Sequence, residues 1–164
     1  MATDSTLILA LPGGSTVAVP VIRHTFARWS GAPVVFDWGN KPIVEDDGEG
    51  VFAEIAIMRA MRGQGWDAVW TEAYGGFRCF DRMPASAKDR HTVLPPHIDA
   101  KRLAIWEAGR TWACVDVIAW RGDQILFIEA KRSKRDRPTK AQLKFIEAAL
   151  GLGEFICVDR MDAG

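Results

Sequence analysis

Two strand-like apolar runs open the chain. Thr6-Leu-Ile-Leu-Ala-Leu and Ser15-Thr-Val-Ala-Val-Pro-Val flank Pro12-Gly-Gly, and this pattern predicts a hairpin over 5–22. Val34-Val-Phe-Asp and Pro42-Ile-Val predict a second hairpin around Gly39-Asn40. The period then changes. Val51, Ile55, Met58 and Arg62 recur at helical spacing, Phe52 and Ile57 widen the stripe, and Gly63 and Gly65 stop it, so 48–63 is expected to be a helix. Trp66-Asp-Ala-Val-Trp-Thr-Glu is a predicted strand. Residues 75–100, with Gly75-Gly76, Pro84 and Pro95-Pro96, lack a period and are expected to form a long loop. A short helix is expected over Lys101–Ala108, ending at Gly109. Two strands are expected over 111–131, around Arg121-Gly-Asp-Gln. Residues 138–150 form a predicted helix opened by Pro138-Thr139 and closed by Gly151, and Phe155-Ile-Cys-Val is a last strand. This order of elements implies an α/β fold with a mixed sheet.

Length and composition narrow this further. A chain of 164 residues, 48% hydrophobic and 26% charged, fits one globular domain. No apolar run approaches the roughly 20 residues of a membrane span, and no basic n-region opens the chain. A cytoplasmic protein is expected. Cys79, Cys114 and Cys157 are too far apart for a zinc site and are read as buried free thiols. His24, His91 and His97 also lack ligand spacing and are read as structural or surface residues.

The 21 basic and 21 acidic side chains cancel, which argues against a uniformly basic binder. Their distribution is uneven. Residues 131–144 carry Lys131, Arg132, Lys134, Arg135, Arg137, Lys140 and Lys144 against Asp136 alone.

The chemistry concentrates in the hairpin. With Gly122-Asp123 as the central turn residues, Arg121 faces Gln124, Ile118 faces Phe127 and Asp116 faces Glu129. Two carboxylates would then stand roughly 5 Å apart at Cβ. Like charges so placed repel unless a cation lies between them, and a divalent metal ion suits carboxylate oxygens. Lys131 shares the face of Glu129 by strand alternation. The bland alternative is an exposed cross-strand salt-bridge cluster. Glu54 lies on the apolar stripe of the predicted helix; it is either a third acid aimed at the site or a stripe-edge carboxylate that reaches water. Glu72 is a lesser candidate of the same kind. The basic run leads into a helix N-terminus at Pro138-Thr139, which favours phosphate. Gln142, in the first turns of that helix, either reaches back toward Lys131 or is an ordinary surface residue. Phe77, Phe80, Trp106 and Trp112 are read as local core packing first and as a binding face second.

Val115-Asp116, the short strand-turn-strand, Glu129-Ala130-Lys131, the upstream Glu54 and the downstream Gln142 together resemble the PD-(D/E)XK nuclease superfamily. The stretch from Asp116 to Gln142 is most similar to the VRR-NUC and Holliday-junction-resolvase-like branches. Val115 stands in place of the name-giving proline, and Trp112-Ala-Cys-Val replaces the glycine-rich approach of VRR-NUC proteins. The resemblance spans 48–158. It implies a restriction-endonuclease-like core, a central mixed sheet flanked by helices, with 1–47 as an N-terminal β-hairpin extension of a single domain over 1–164. It further implies a Mg²⁺- or Mn²⁺-dependent endonuclease acting on nucleic acid, DNA ahead of RNA. Asp116, Glu129 and the Ala130 carbonyl would ligate the metal, and Glu54 would serve a second ion or a metal-bound water. Lys131 would position and help deprotonate the attacking water, and Gln142 would orient Lys131. Arg132, Lys134, Arg135, Arg137 and Lys140 would meet the phosphate backbone. The alternative implied function is a nuclease-fold module that binds nucleic acid or a protein without turnover. A homodimer through the N-terminal hairpins is a further expectation.

Overall fold

In the computed structural model, Pro12-Gly13-Gly14 turns the chain between β1 (Ser5–Ala10) and β2 (Thr16–Ala27), which pair antiparallel as expected. Residues 3–132 and 136–163 are described, with side chains through 160. The hairpin is no appendage. β2 runs parallel to β9 (Glu154–Ala163), so β1 and β2 complete one edge of the central sheet.

The second hairpin forms later than expected. Residues 34–42 contain no strand, and β3 (Ile43–Asp46) pairs instead with β4 (Glu49–Phe52) across Asp47-Gly48. Both turn residues take positive φ, the backbone that Asp-Gly dipeptides tolerate. The helix expected from 48 therefore starts at Ala53 and runs to Gly63 as α1. Val51 and Phe52 satisfy period two and period 3.6 equally, which hid the boundary.

β5 (Asp67–Glu72) follows, then β6 (Arg78–Phe80), a three-residue strand inside the expected loop. α2 spans Pro96–Gly109, five residues longer at its start than expected, with Pro96 in the first turn where a missing N–H is harmless. β7 is Val117–Arg121 and β8 is Gln124–Arg132; residues 111–116 approach β7 without strand structure. α3 spans Lys140–Ala149 behind an N-cap at Thr139.

The protein is thus α/β, with a seven-stranded mixed sheet in the order β1-β2-β9-β8-β7-β5-β6 and three helices among the described residues. β2, β9 and β8 are parallel, and the remaining pairs are antiparallel. Strand alternation sorts the core into two layers. Val69, Ile118, Phe127 and Phe155 pack with α2 and α3 through Ile98, Ile105, Phe145 and Ile146. Trp70, Val117, Ala119 and Ile128 pack on the other face with α1 and the β3–β4 hairpin. No described helix is long and apolar enough to cross a membrane.

Candidate active site

The hairpin register follows from its turn. Gly122 takes φ +59 at the first central position, and Arg121 faces Gln124, Ile118 faces Phe127 and Val117 faces Ile128. The paired register ends at Val117 facing Ile128, and Asp116 is the next residue before it. Asp116 itself lies just before β7, where its carbonyl accepts the Thr71 N–H at 2.8 Å. Its Oδ2 accepts the Ala130 N–H at 2.8 Å, which ties the acid to the segment that carries Glu129 and Lys131.

Both carboxyls are electrostatically stressed. Burial raises Asp116 well above the ordinary carboxylate range, and Glu129 and then Glu54 push it further. Glu129 is also raised, by burial first; Lys131 and Gln142 counter this and Glu54 adds to it. Desolvation and like charge act in the same direction here, as at sites built to hold a cation or share a proton.

Lys131, Glu129 and Gln142 close a triangle. Lys131 Nζ lies 2.7 Å from Glu129 Oε1. The Gln142 amide donates to that same oxygen at 2.5 Å, while its carbonyl accepts from Lys131 Nζ at 3.1 Å. Gln142 is also the third helical residue of a capping box. Its Oε1 accepts the Thr139 N–H at 2.9 Å, and Thr139 Oγ1 accepts the Gln142 N–H at 3.2 Å. One side chain therefore fastens the start of α3 to the site, which decides between its two sequence readings. Burial lowers the Lys131 ammonium, but Glu129 and Asp116 outweigh it and leave the group raised.

Glu54 stands in the first turn of α1 and is buried, so it does not escape to water. Its partner is Lys41, which no sequence feature indicated. Lys41 Nζ lies 2.7 Å from Glu54 Oε1 and 5.4 Å from the centre of the Trp70 ring. Burial lowers Lys41, yet Glu54, Asp116 and Glu72 together raise it. Lys41 sits in the irregular loop after β2, and only the folded chain brings it here. Glu72, at the end of β5, accepts the Tyr74 N–H at 3.0 Å and adds to the field that raises Lys41.

One oxygen of each glutamate, Glu54 Oε2 and Glu129 Oε2, is buried with no hydrogen-bond partner among the described residues. Uncompensated buried carboxylate oxygens are costly and point to a missing cationic or hydrogen-bonding partner. As the side chains stand, no three described His, Cys, Asp or Glu residues surround one point as metal ligands.

Comparison with family models, characterised proteins and solved structures finds no match to this chain.

The basic residues divide. Arg132 and Arg137 line a cleft of about 570 Å³ between β1 and the segment before α3, which also reaches Lys131. Lys140 is exposed in the first turn of α3. Lys134 and Arg135 lie outside the described residues. The thiols are inert. Burial raises Cys79 and Cys114 to about 12 and Cys157 to about 11, so none supplies a thiolate near neutral pH. His91 packs on the Phe80 ring between Asp81 and Asp89, and His24 packs on Phe26; both are distant in role from the acid cluster. Of the four aromatics, Phe80 is core, while Phe77 and Trp106 pack around the Arg102 guanidinium. Trp112 alone of the four is exposed.

Proposed function

We propose that the protein is a metal-dependent nuclease with a restriction-endonuclease-like core, hydrolysing phosphodiester bonds of nucleic acid, DNA in the first instance. One observation carries this reading: Asp116, just before β7, accepts the N–H of Ala130 between Glu129 and Lys131 on β8, is raised by burial and by Glu129, and stands beside a Lys131 held by Gln142. That arrangement stores negative charge in a desolvated place and sets an ammonium at its border.

The residues fit Mg²⁺ or Mn²⁺. Two orphaned carboxylate oxygens and the repulsion between the acids are what a divalent ion relieves. Asp116, Glu129 and the Ala130 carbonyl would hold it, with Glu54 as the outer carboxylate. When bound, the ion supplies Lewis acidity toward a phosphoryl oxygen and lowers the proton affinity of a water. The chain does the rest. Lys131, kept protonated by Glu129 and Asp116, neutralises charge that grows on the phosphate during attack. Gln142 fixes the direction of the Lys131 ammonium and the rotamer of Glu129 from a capped, rigid helix start. Arg132, Arg137 and Lys140 draw the polyanionic backbone toward the site.

A second reading has its own observation. Glu54 and Glu129 each already have an ammonium at 2.7 Å, so their charge is partly balanced without an ion. A module that binds nucleic acid or a protein partner without cutting would keep such an arrangement. A second copy of the chain would dock on β1, whose outer edge pairs with no described strand; solution mass tests that. Free, protonated thiols suit the reducing cytoplasm. Asp116→Asn and Lys131→Ala, compared with wild type for cleavage in Mg²⁺, Mn²⁺ and chelator, separate the two readings. Wild-type cleavage that needs metal and both residues supports the nuclease. Tight nucleic-acid binding with no cleavage by the wild type supports the module.

A further inference from the structure

A second cleft, of about 410 Å³, is lined by Arg28, Trp29, Asn40, Lys41 and Arg132 among others, with no carboxylate in its described lining. Topology explains the gathering. β2 and β8 both run parallel to β9, so their C-terminal ends lie at the same end of the sheet. Arg28 follows β2 directly and bridges to Val44 of β3; Arg132 ends β8; Lys41 precedes β3. Strand alternation sends Lys131 and Arg132 to opposite faces. Lys131 thus serves the α3 side of the acid cluster, and Arg132, which also borders the 570 Å³ cleft, lines the β3 side as well.

Two facts set this cleft apart from an ordinary basic surface. Neither the Arg28 nor the Arg132 side chain has an ion-pair or hydrogen-bond partner among the described residues. Two arginines lining one cavity with no carboxylate in its described lining are unfavourable unless an anion joins them. The loop that delivers Asn40 and Lys41 is also strained and firmly held. Trp38, Gly39 and Asn40 take φ of 55°, 73° and 80° in succession. A non-glycine residue in that region costs about 1–2 kcal/mol. The cost is met by anchoring Trp38 edge-on against Trp70 at 5.6 Å and Phe80 at 5.9 Å, with the Arg78 guanidinium over its ring. Strain imposed by the surrounding structure marks positions that must be held.

We propose that the cleft formed by Arg28, Asn40, Lys41 and Arg132 binds a phosphate group, and that it takes a backbone phosphate neighbouring the one cleaved. The first half stands on the cleft itself; the second rests on the nuclease reading. Guanidinium forks match phosphate oxygens bidentately, Asn40 adds an amide donor, and Lys41 joins this anion site to the acid cluster through Glu54. A strand bound here would lie across the carboxyl ends of the parallel strands, with Lys131 and the acids one step away.

Arg28 and Arg132 are both exposed, so Arg28→Gln and Arg132→Gln should leave the fold and the melting temperature unchanged. The test is fluorescence anisotropy of a short labelled single-stranded DNA in chelator, across a salt series, with inorganic phosphate titrated in parallel. Each substitution is expected to weaken strand binding about tenfold. Each should also flatten the dependence of log affinity on log salt by about 0.7. Unchanged affinity and salt slope in both arginine variants would overturn the proposal, even if wild-type cleavage supports the nuclease reading. Phosphate binding that both variants lose, with strand binding unaffected, would keep the anion site and overturn its assignment to the strand. Arginine-dependent strand binding with no cleavage by wild type would keep the cleft and remove the nuclease reading.

Discussion

Replacing Asp116 with Asn should stabilise the metal-free protein while abolishing the proposed cleavage. The change keeps the shape and leaves an oxygen to accept the Ala130 N–H, at 2.8 Å in the wild type. It removes one of the charges that burial, Glu129 and Glu54 make unfavourable. Two unit charges about 5 Å apart at an effective dielectric constant of about 20 repel by about 3 kcal/mol. Lys41 and Lys131 lose an attractive partner in the same change, and part of the gain is lost with them. A net gain of about 2 kcal/mol raises the melting temperature of a domain this size by about 4–8 °C. Differential scanning calorimetry in chelator near pH 7.5 reads this directly. Excess Mg²⁺ should then reverse the order. At a hundredfold excess over its dissociation constant a ligand adds about 2.7 kcal/mol to the form that binds it, and the variant has lost a ligand. A melting temperature for the variant at or below wild type in chelator would refute the account of a strained acid pair. So would equal stabilisation of both proteins by Mg²⁺.

Three further outcomes follow from the same geometry. Asp116 and Glu129 hold protons more tightly folded than unfolded, so their contribution to stability is full below the ordinary carboxylate range and is lost as pH rises through the raised folded values; the melting-temperature gap between Asp116→Asn and wild type in chelator should be near zero at about pH 4 and should widen toward neutrality. Gln142→Glu keeps a good capping-box residue before α3 but sets a carboxylate 2.5 Å from Glu129 Oε1, so helix content by circular dichroism should hold while cleavage falls at least about tenfold; equal activity would show that the triangle is incidental. Lys41→Met strands the buried Glu54 carboxylate, and urea denaturation in chelator should show a loss of about 2–4 kcal/mol that Glu54→Gln in the same chain largely restores.

The site was legible where local rules fix geometry. A two-residue turn at Gly122-Asp123 sets the pairs from Arg121–Gln124 to Val117–Ile128, and counting one residue on brings Asp116 beside the Glu129–Ala130 segment, where its carboxylate accepts the Ala130 N–H. Gln142 was legible because Thr139 three residues earlier marks a helix start whose third residue turns back. Lys41 was not legible. It lies in an aperiodic loop, and its place is set by Trp38 docking on Trp70 and Phe80, a tertiary event with no local signature. The start of α1 was misplaced because Val51 and Phe52 suit either period and because Asp47-Gly48, the real turn, lay at the expected helix start. β6 escaped notice for a different reason. Three residues between Gly76 and the polar 81–92 segment are too few to show alternation, and only pairing with β5 makes them a strand. The N-terminal hairpin was read correctly as a hairpin, but its union with β9 depends on parallel pairing across most of the chain, which local pattern does not encode.

Metal-dependent hydrolysis is the central claim, and a cleavage panel tests it most directly. Linear, branched and single-stranded DNA and an RNA are each incubated with pure protein in Mg²⁺, Mn²⁺ or chelator, with Asp116→Asn and Lys131→Ala alongside. The account predicts cleavage of at least one substrate by wild type in metal, none in chelator and none by either variant. Cleavage by Asp116→Asn in chelator, or intact substrates throughout with wild type in excess of nucleic acid, would contradict it.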